Sequence, residues 1–419
     1  MKKLLTFAMV LFLYTTSIFA SGFQINEHGS KAMAMGGAFA GLANDPSAMY
    51  FNPAGITQLT GTNFLGGVTL ISPSSTFRGP SPSIEESELE AQLFNPIHLS
   101  ITHQFNEKLH FGFSVGNNYG LGTKWEDDWF GRFMAVETEI RTFFMNGVAS
   151  YKVSDVLSVG FGYVFAYGDV IIGRSVNLSP FNAEGYVNLE GTGTGSGFTA
   201  GVLLTPSDAI QIGLSYRSEV QINFEGDATP SNAPSQYDGL LPNGGIEAPF
   251  TTPANITLGV AVKPLKNLTF VADYQYVGWE SYDKLEVKYT DYTLPDGSNT
   301  TTSVRNYNNS FLARVGVEYN YSESLALRAG FLYDQNPVDD ERLDPTLPDA
   351  DRLGFSGGVG YNLTENLVVD LAYLFLRFDE RTITDSHENY SGLDNSIAPL
   401  NGTYNSIAHL LSLTFAYKL

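Results

Sequence analysis

The 419-residue sequence contains no cysteine, so disulfides cannot stabilise its fold and thiolates cannot hold a metal. Charged residues make up only 16% of the chain, and acidic residues outnumber basic ones by 44 to 23. The resulting net charge of −21 argues against a nucleic-acid partner, because phosphates bind basic surfaces. After residue 20 no window approaches the roughly 18 consecutive apolar residues that a transmembrane helix needs.

Residues 1–20 have the organisation of a secretory signal peptide. Lys2 and Lys3 precede an apolar run over residues 4–13, and the small residue Ala20 stands where cleavage would fall. A membrane anchor is the alternative, but the run is too short to cross ~30 Å of hydrocarbon. Cleavage would remove both lysines and change the net charge from −21 to −23.

Residues 21–60 are rich in small residues, nearly uncharged and too irregular for one long helix. Ser30 is predicted to cap a short helix over residues 31–42. Two further short turns are predicted where a side-chain acceptor precedes proline, at residues 45–46 and 52–53. A segment of this kind cannot fold alone, so we expect it to plug a larger container formed by residues 61–419.

Aromatic residues and glycine are abundant in that larger part: the sequence has 29 Phe, 23 Tyr and 42 Gly. Six short polar pairs are each followed at once by an alternating strand, which indicates tight hairpin turns. These pairs lie at residues 106–107, 154–155, 207–208, 266–267, 322–323 and 365–366. Seven longer polar stretches intervene, near residues 73–93, 120–138, 174–192, 227–250, 281–308, 335–351 and 380–402.

Short turns on one side and long loops on the other are typical of a bacterial outer-membrane β-barrel. Six turns and seven loops join 14 antiparallel strands, and the architecture requires an even number. The C-terminal strand should close against a first strand near residues 63–72. A soluble β-sandwich is the alternative, but tyrosines collect just before the turns, as in an interfacial girdle: Tyr151, Tyr319, Tyr321 and Tyr361.

Alternation along the strands separates a lipid face from a lumen face. Residues 157, 159, 161, 163 and 165 are apolar and should meet lipid, whereas the residues between them are mostly small. Charged strand residues should point inward, because a charge on the lipid face costs roughly 2–4 kcal/mol at the midplane. The expected lumen charges, either an ion-pair network or direct ligand contacts, are Arg217, Asp273, Arg314, Glu318, Arg328 and Asp370.

Signatures of enzymes and metal sites are poor. The sequence has no HExxH, GxSxG, Walker or GxGxxG motif, and the glycine run over residues 191–201 is better explained by close backbone approach. His98 and His103 are five residues apart in one strand and therefore face opposite sides. The acidic residues between 339 and 351 lack the glycine and terminal glutamate of a calcium loop, so a solvated loop is expected. We predict no cofactor, metal or catalytic residue.

The stretch GFQINEHGSKAMAMGGAFAGLANDPSAMYFNPAG resembles the N-terminal hatch of the FadL/TodX family of outer-membrane transporters for hydrophobic compounds. The resemblance includes the family's Asn-Pro-Ala motif, here Asn52, Pro53 and Ala54. NNYGLGTKWEDDWFGR, residues 117–132, is similar to the third external segment of the family. DQNPVDDERLDPTLPDADR, residues 334–352, is similar to a late loop ending in Pro-Asp-x-Asp-Arg.

This resemblance implies a 14-stranded barrel with the hatch in its lumen. Long-chain fatty acids or other apolar molecules would bind outside, pass to a pocket beside the N-terminus and leave sideways into the membrane. Aromatic side chains of the third segment could capture the cargo or anchor the loop to lipid headgroups. Arg174 is the nearest expected cation for a carboxylate, since Asp169 stands where the resemblance leads us to expect a basic residue. The candidate substrate-binding residues are Ser21, Phe23, Trp125, Trp129, Phe130, Phe133 and Arg174.

A kink is expected in the third strand, LHFGFSVGNNYGLG, because glycine and asparagine interrupt its alternation. The kink could open a lateral exit or only make room for the hatch. Its candidate residues are Gly112, Gly116, Asn117 and Asn118. The sequence therefore predicts a monomeric channel in the outer membrane of a Gram-negative bacterium, in contact with lipid and lipopolysaccharide. A general diffusion porin and an outer-membrane lipid hydrolase remain as alternatives.

Overall fold

The computed structural model describes residues 22–178, 181, 183–391 and 397–419. The predicted signal peptide and Ser21 lie outside the described residues. Most of the described chain is antiparallel β-sheet, because alternating apolar residues and glycine-containing turns run through it from residue 62 onward. No described helix is long and apolar enough to cross a membrane.

Fourteen strands form the wall and pair in chain order into a closed barrel, which confirms the predicted strand number. β1 and β23 close the circle with a ladder running from Asn63↔Lys418 to Arg78↔Thr403. The wall strands are β1 (Thr62–Arg78), β3 (Ile97–Gln104), β4 (Leu109–Gly116), β6 (Glu137–Lys152), β7 (Leu157–Asn177), β8 (Glu184–Ser207), β9 (Ile210–Arg217), β12 (Asn255–Leu265), β13 (Leu268–Val277), β16 (Ser310–Asn320), β17 (Leu325–Asp334), β18 (Arg352–Asn362), β19 (Leu367–Phe378) and β23 (Gly402–Lys418).

The six predicted short turns connect wall strands at one end of the barrel. The other end carries accessory strands: β2 (Glu86–Glu88), β5 (Gly120–Lys124), β10 (Val220–Ser231), β11 (Gly244–Thr252), β14 (Lys284–Tyr289), β15 (Thr300–Val304), β20 (Arg381–Ile383), β21 (Asn389–Ser391) and β22 (Ile397–Pro399). Residues 174–192 are not a long loop, because β7 and β8 have 21 and 24 residues and pair along their full length. A membrane-spanning strand needs only about 9–11 residues, so this hairpin extends well beyond the bilayer.

The outer surface of the barrel carries the predicted apolar band. On β7, Val159, Phe161, Tyr163 and Phe165 are exposed, whereas the residues between them are buried. The four tyrosines predicted for the girdle are also exposed beside the short turns: Tyr151, Tyr319, Tyr321 and Tyr361. This pattern matches a barrel that presents aromatic and aliphatic side chains to lipid.

Residues 22–60, called the plug, lie inside the barrel, and their side chains are mostly buried. The helix predicted for residues 31–42 is shorter than expected: α1 spans Ser30–Ala34. Ser30 is not its cap, because the Ser30 hydroxyl is within 2.9 Å of Ser412 Oγ and 2.8 Å of Thr414 Oγ1 on the wall. Wall contacts of Ser30 thus replace the local cap, and the left-handed backbone of Gly36 (φ +69°) and Gly37 (φ +79°) follows the single helical turn.

Both predicted proline turns are confirmed. α2 spans Ala48–Phe51, and just before it the Asp45 carboxylate accepts the Ser47 N–H at 2.8 Å. A 3₁₀ helix over Pro53–Gln58 is capped by Asn52, whose Oδ1 accepts the Ala54 N–H at 3.1 Å. Three further 3₁₀ turns lie in the external loops, at Ser235–Leu240, Trp279–Ser281 and Asp340–Arg342.

Candidate functional site: a cavity between plug and wall

A cavity of about 440 Å³ lies between the plug, the barrel wall and the external loops. Its volume is in the range of small-molecule sites, roughly 300–1,000 Å³. On one side the wall contributes inward-facing apolar side chains from β1, β17, β19 and β23: Ile71, Leu332, Leu374, Leu376, Ala408 and Leu410. The plug contributes Phe23, Ile25 and Met33. Barrel interiors are usually polar, so this apolar inner wall is a specific feature of the site.

The N-terminal end of the plug is tied to the external end of β18. The Gly22 N–H donates to Asp349 Oδ2 at 2.9 Å, and the Arg352 guanidinium donates to the Gly22 carbonyl. Arg352 also pairs with Asp349 at 2.8 Å and with Asp334 at 3.7 Å. Since all these residues line the cavity, its rim holds a compact group of one guanidinium and two carboxylates.

Phe23 continues this attachment through aromatic contacts. Its ring centroid lies 5.0 Å from Trp279, 5.4 Å from Phe250 and 6.1 Å from Tyr282. Gly22 has φ of +62°, and a Cβ there would lie 2.7 Å from the Trp279 ring. Glycine therefore permits both the left-handed backbone and the close approach of the indole.

The wall is interrupted beside the cavity. Gly116 of β4 pairs with Phe144 of β6, and Gly120 of β5 pairs with Arg141 of β6. The first strand thus advances by four residues while β6 advances by three. One residue is therefore extra, as in a β-bulge, and the strand turns inward. Beyond Gly116 it no longer pairs with β3. We call the resulting opening, between residues 94–97 and residues 117–122, the lateral gap; both of its edges line the cavity.

The plug supplies a substitute partner at the kinked strand. The Ile25 N–H donates to the Asn118 carbonyl at 2.9 Å, and the Gly120 N–H donates to the Phe23 carbonyl at 3.0 Å. The edge that has lost β3 thus pairs with residues 23–25 from inside the barrel. This arrangement places the plug, the cavity and the lateral gap in direct contact.

Comparison with known proteins identifies the family of this chain. Residues 11–419 match the family model described as outer membrane protein transport protein (OMPP1/FadL/TodX). The chain belongs to this family. Its location is therefore the outer membrane of a Gram-negative bacterium, and its role is transport. Membership does not support the two alternatives, the general porin and the lipid hydrolase.

Two relatives are similar over nearly the whole chain. The long-chain fatty acid transport protein of Escherichia coli O6:H1 is 25% identical over 419 residues, covering 90% of this chain and 92% of the relative. The 47 kDa outer membrane protein of Pasteurella multocida is 25% identical over 403 residues, with the same coverages of 90% and 92%.

Solved structures share the fold. A Pseudomonas aeruginosa FadL homologue superposes with a TM-score of 0.84 at 21% identity, covering 95% of this chain and all of the other. The Pseudomonas putida toluene transporter TodX gives a TM-score of 0.70 at 16% identity, covering 96% and 99%. At these identities the likeness concerns the fold alone.

Within this FadL/TodX fold, the aromatic residues expected at an external capture surface are not on a surface. Trp125, Trp129 and Phe133 are buried, and Phe130 is half-buried. The two indoles stack at 4.5 Å, and Trp125 Nε1 donates to the Pro345 carbonyl at 3.0 Å. These side chains form part of the core of the external loops and do not present the expected external surface.

Arg174 is not the cation of the cavity. It is exposed on the part of β7 that extends beyond the bilayer and does not line the cavity. Asp169 is paired with Arg141 at 2.6 Å, and Glu139 pairs with the same guanidinium at 3.2 Å. The cations that do line the cavity are Arg141, Arg314 and Arg352. The remaining candidate, Ser21, lies outside the described residues.

The predicted lumen charges all point inward, but they form separate groups rather than one network. Arg328 pairs with Glu318 at 2.7 Å and with Asp370 at 2.5 Å on the side of the short turns. Asp273 Oδ2 accepts the N–H groups of Phe39 and Ala40, both at 2.8 Å. Arg217 donates to the Tyr50 carbonyl at 2.9 Å, and Arg314 to Gln275 Oε1 at 2.6 Å. Glu318 also pairs with Lys31 of the plug at 3.8 Å, so four of the six hold the plug or face the cavity.

The four candidate kink residues have different positions. Gly112 lies in the regular ladder of β4, and a Cβ there would lie 2.3 Å from Met49 Sδ, so this glycine accommodates the plug. Gly116 ends the ladder and faces His28. A Cβ at Gly116 would lie 2.7 Å from the His28 ring. Asn117 and Asn118 form the kink itself.

The late loop, residues 335–351, is not a solvated acidic loop. Asp344, Asp349 and Asp351 are buried, and Asp344 forms a buried ion pair with Arg305. Asp340 pairs with Arg381 at 2.6 Å. Across the described residues no group of three or more His, Cys, Asp or Glu is placed to hold a metal ion. Basic partners from other loops explain why this acidic segment can be buried.

Sequence reasoning missed the apolar inner wall and the contact of Arg352 with the plug. The residues Leu374, Leu376 and Leu410 share the lumen parity of their strands, so alternation could have revealed them. Arg352 belongs to the Pro-Asp-x-Asp-Arg motif, but its contact with Gly22 joins residues 330 positions apart. No local signal indicates such a contact.

Proposed function

We propose that this outer-membrane transport protein takes up hydrophobic molecules, either long-chain fatty acids or aromatic and aliphatic hydrocarbons, by diffusion past the plug. The observation that carries the proposal is the cavity of about 440 Å³ with its apolar inner wall. A solute gains about 25 cal/mol for each Å² of apolar surface that it buries there. Relatives named for long-chain fatty acids and for toluene support the same class of cargo.

The route that we propose leads from the external loops into the cavity and then sideways through the lateral gap. Gly116 is the eighth residue of β4, so the gap begins ~26 Å along a tilted strand at about 3.3 Å per residue. At a tilt of about 40° this is ~20 Å of height, within the apolar band of ~25 Å. Cargo leaving there would enter hydrocarbon and avoid the cost of exposing apolar surface to water.

The polar residues of the cavity determine whether cargo with a carboxylate can bind. Arg314 and Arg352 are charge-assisted donors of the kind that a fatty carboxylate needs. Arg352 already contacts Asp349 and Asp334, whereas Arg314 contacts the neutral Gln275. We therefore assign carboxylate recognition to Arg314. Neutral hydrocarbons would use the apolar wall alone.

We further propose that the protein acts as a monomer in contact with lipid and lipopolysaccharide, and that it has no enzymatic activity. The continuous exposed apolar side chains around the barrel support lipid contact. The plug and the barrel would be the two functional parts of the mature chain, residues 21–60 and 61–419. Transport needs no cofactor in this scheme.

Uptake by a strain lacking the gene tests the proposal. Cells carrying the intact gene should accumulate radiolabelled oleate or radiolabelled toluene faster than cells without it. Asn117→Trp should reduce this uptake strongly, since the side chain of Asn117 lies in the lateral gap. Gly116 is less suitable, because any side chain there would first collide with His28 of the plug.

Ala329→Trp is the matched control, as Ala329 faces outward on β17 and pairs on both sides, with Val317 and Gly357. It should transport normally. Equal accumulation of both probes with and without the gene would contradict the proposed cargo class. Normal uptake by a well-folded Asn117→Trp variant would contradict the lateral route while leaving the cargo class standing.

A further inference from the structure

We infer that the amide of Asn117, on a strand that Thr142 anchors, is a hydrogen-bonded bar that holds the lateral gap closed and must break each time cargo leaves. The inference rests on the lateral route proposed above. It assigns to these two residues a positioning role in transport: they set the rate of release rather than bind the cargo.

Asn117 spans the gap with both atoms of its amide. Its Oδ1 accepts the backbone N–H of Ile97, the first residue of β3, at 2.8 Å. Its Nδ2 donates to the backbone carbonyl of Thr142 on β6 at 2.7 Å. The side chain is only 9% exposed. One amide therefore links the strands on both sides of the kink, where the ladder between β3 and β4 has ended.

Thr142 anchors the kinked strand that carries Asn117 to β6. Its hydroxyl donates to the Tyr119 carbonyl at 2.6 Å and accepts the Tyr119 N–H at 3.1 Å. These two bonds replace the backbone ladder that the extra residue disrupts between Gly116 and Gly120. Thr142 is fully buried, so water cannot substitute for its hydroxyl without entering the wall.

The position of the bar distinguishes it from an ordinary part of the sheet. Below it, β3 and β4 pair from Gln104↔His110 to His98↔Gly116, and those contacts are backbone hydrogen bonds. Above it, the kinked strand pairs with residues 23–25 of the plug instead of β3. Among the described residues, the bond from the Ile97 N–H to the Asn117 side chain joins the two edges of the gap beside the cavity. Such bonds can break and re-form through rotamer changes without unfolding a strand.

Release of a preloaded probe tests the bar. Purified protein in lipid nanodiscs is loaded with a fluorescent long-chain fatty acid, and transfer to acceptor vesicles is followed by stopped flow. Asn117→Ala and Thr142→Val should each accelerate release by about fivefold or more, as expected from losing one or two net hydrogen bonds. Equilibrium affinity should change by less than the release rate, since entry and exit through the gap accelerate together.

Two further variants separate the bar from general packing. Thr142→Ser keeps the hydroxyl and should release the probe at the normal rate. Thr102→Val is the matched control, because Thr102 is a buried threonine on β3 whose hydroxyl has no hydrogen-bond partner among the described residues. It should also behave normally. Folding of each variant is checked by heat-modifiable migration on gels.

Normal release by both Asn117→Ala and Thr142→Val, together with blocked release by Asn117→Trp, would overturn the bar and leave the lateral route intact. Normal release by Asn117→Trp as well would overturn the lateral route on which the bar depends. Acceleration by Thr142→Ser or Thr102→Val equal to that of Thr142→Val would also overturn it, because the effect would then come from packing.

Discussion

At the scale of single residues, polar side chains and glycines determine how the plug sits in the barrel. Asn52 Nδ2 donates to the Ala40 carbonyl within the plug and to the Val202 carbonyl on β8, both at 3.0 Å. A Cβ at Gly201 would lie 2.2 Å from Asn52 Oδ1, and one at Gly213 would lie 2.0 Å from the Ala40 oxygen. Because Gly201 and Gly213 have no side chains, the Asn52 amide can reach the backbone of β8.

Asn52→Ala should loosen the plug and leave the barrel folded. The substitution removes three hydrogen bonds and leaves buried backbone groups without partners. Each unsatisfied group costs about 1–3 kcal/mol. Entry of a small hydrophilic antibiotic into cells should increase, while heat-modifiable migration on gels stays unchanged. Asn63→Ala is the control, because Asn63 is a solvent-accessible asparagine at the start of β1. Unchanged permeability of the Asn52 variant would show that the motif does not hold the plug.

At the scale of elements, the late loop joins the external loops to the plug. It contacts the segment around Trp125, the strand β15 region through Arg305, and the β20 region through Arg381. Its last residues hold Gly22. A loop that is bonded to four other segments supports the external loops. Movement of these loops would be transmitted to the N-terminal end of the plug.

The attachment of this loop should depend on pH through Asp351. Burial raises the pKa of Asp351 to about 7; the Tyr333 hydroxyl opposes this rise, whereas repulsion from Asp379 and Asp349 adds to it. The folded state therefore favours the protonated carboxyl, whose unfolded pKa is 3.8. Its contribution to stability is fully present below about pH 4 and is lost as pH rises through about 7.

The measurement is the thermal unfolding midpoint in detergent at pH 5 and at pH 8. The native protein should lose more stability between these values than Asp351→Asn, which cannot ionise. Other carboxylates titrate in both proteins, so only the difference between them reports on Asp351. The same pH dependence in both proteins would contradict the assignment.

At the scale of the whole molecule, the barrel is closed without help from the plug. β1 pairs directly with β23 over residues 63–78, and each wall strand has wall neighbours on both sides through most of its length. The plug is held by side-chain bonds, by the Phe23–Ile25 pairing and by packing. The two parts should therefore be separable, although inward charges such as Asp273 would lose their plug partners.

Deletion of residues 22–60, with the signal peptide retained, should give a folded barrel with a wide aqueous lumen. In planar bilayers this variant should conduct ions in large steps, whereas the full-length protein should conduct little. The variant should unfold at a lower temperature, because removing the plug exposes buried apolar and charged groups. Failure of the deleted protein to form a heat-modifiable barrel would show that the plug is required for folding.

The sequence alone determined the barrel, the strand number, the two faces of each strand and the proline turns of the plug. These features depend on local patterns: alternation with period two, turn residues, and capping residues next to proline. The tertiary structure decided the cavity, the burial of Trp125 and Trp129, the exposure of Arg174, and the roles of Arg352 and Thr142. Those features depend on residues far apart in the chain, such as Gly22 and Arg352, and on one extra residue that shifts a register between Gly116 and Gly120. Alternation predicts which face a side chain occupies, but only the packed structure shows what lies opposite it.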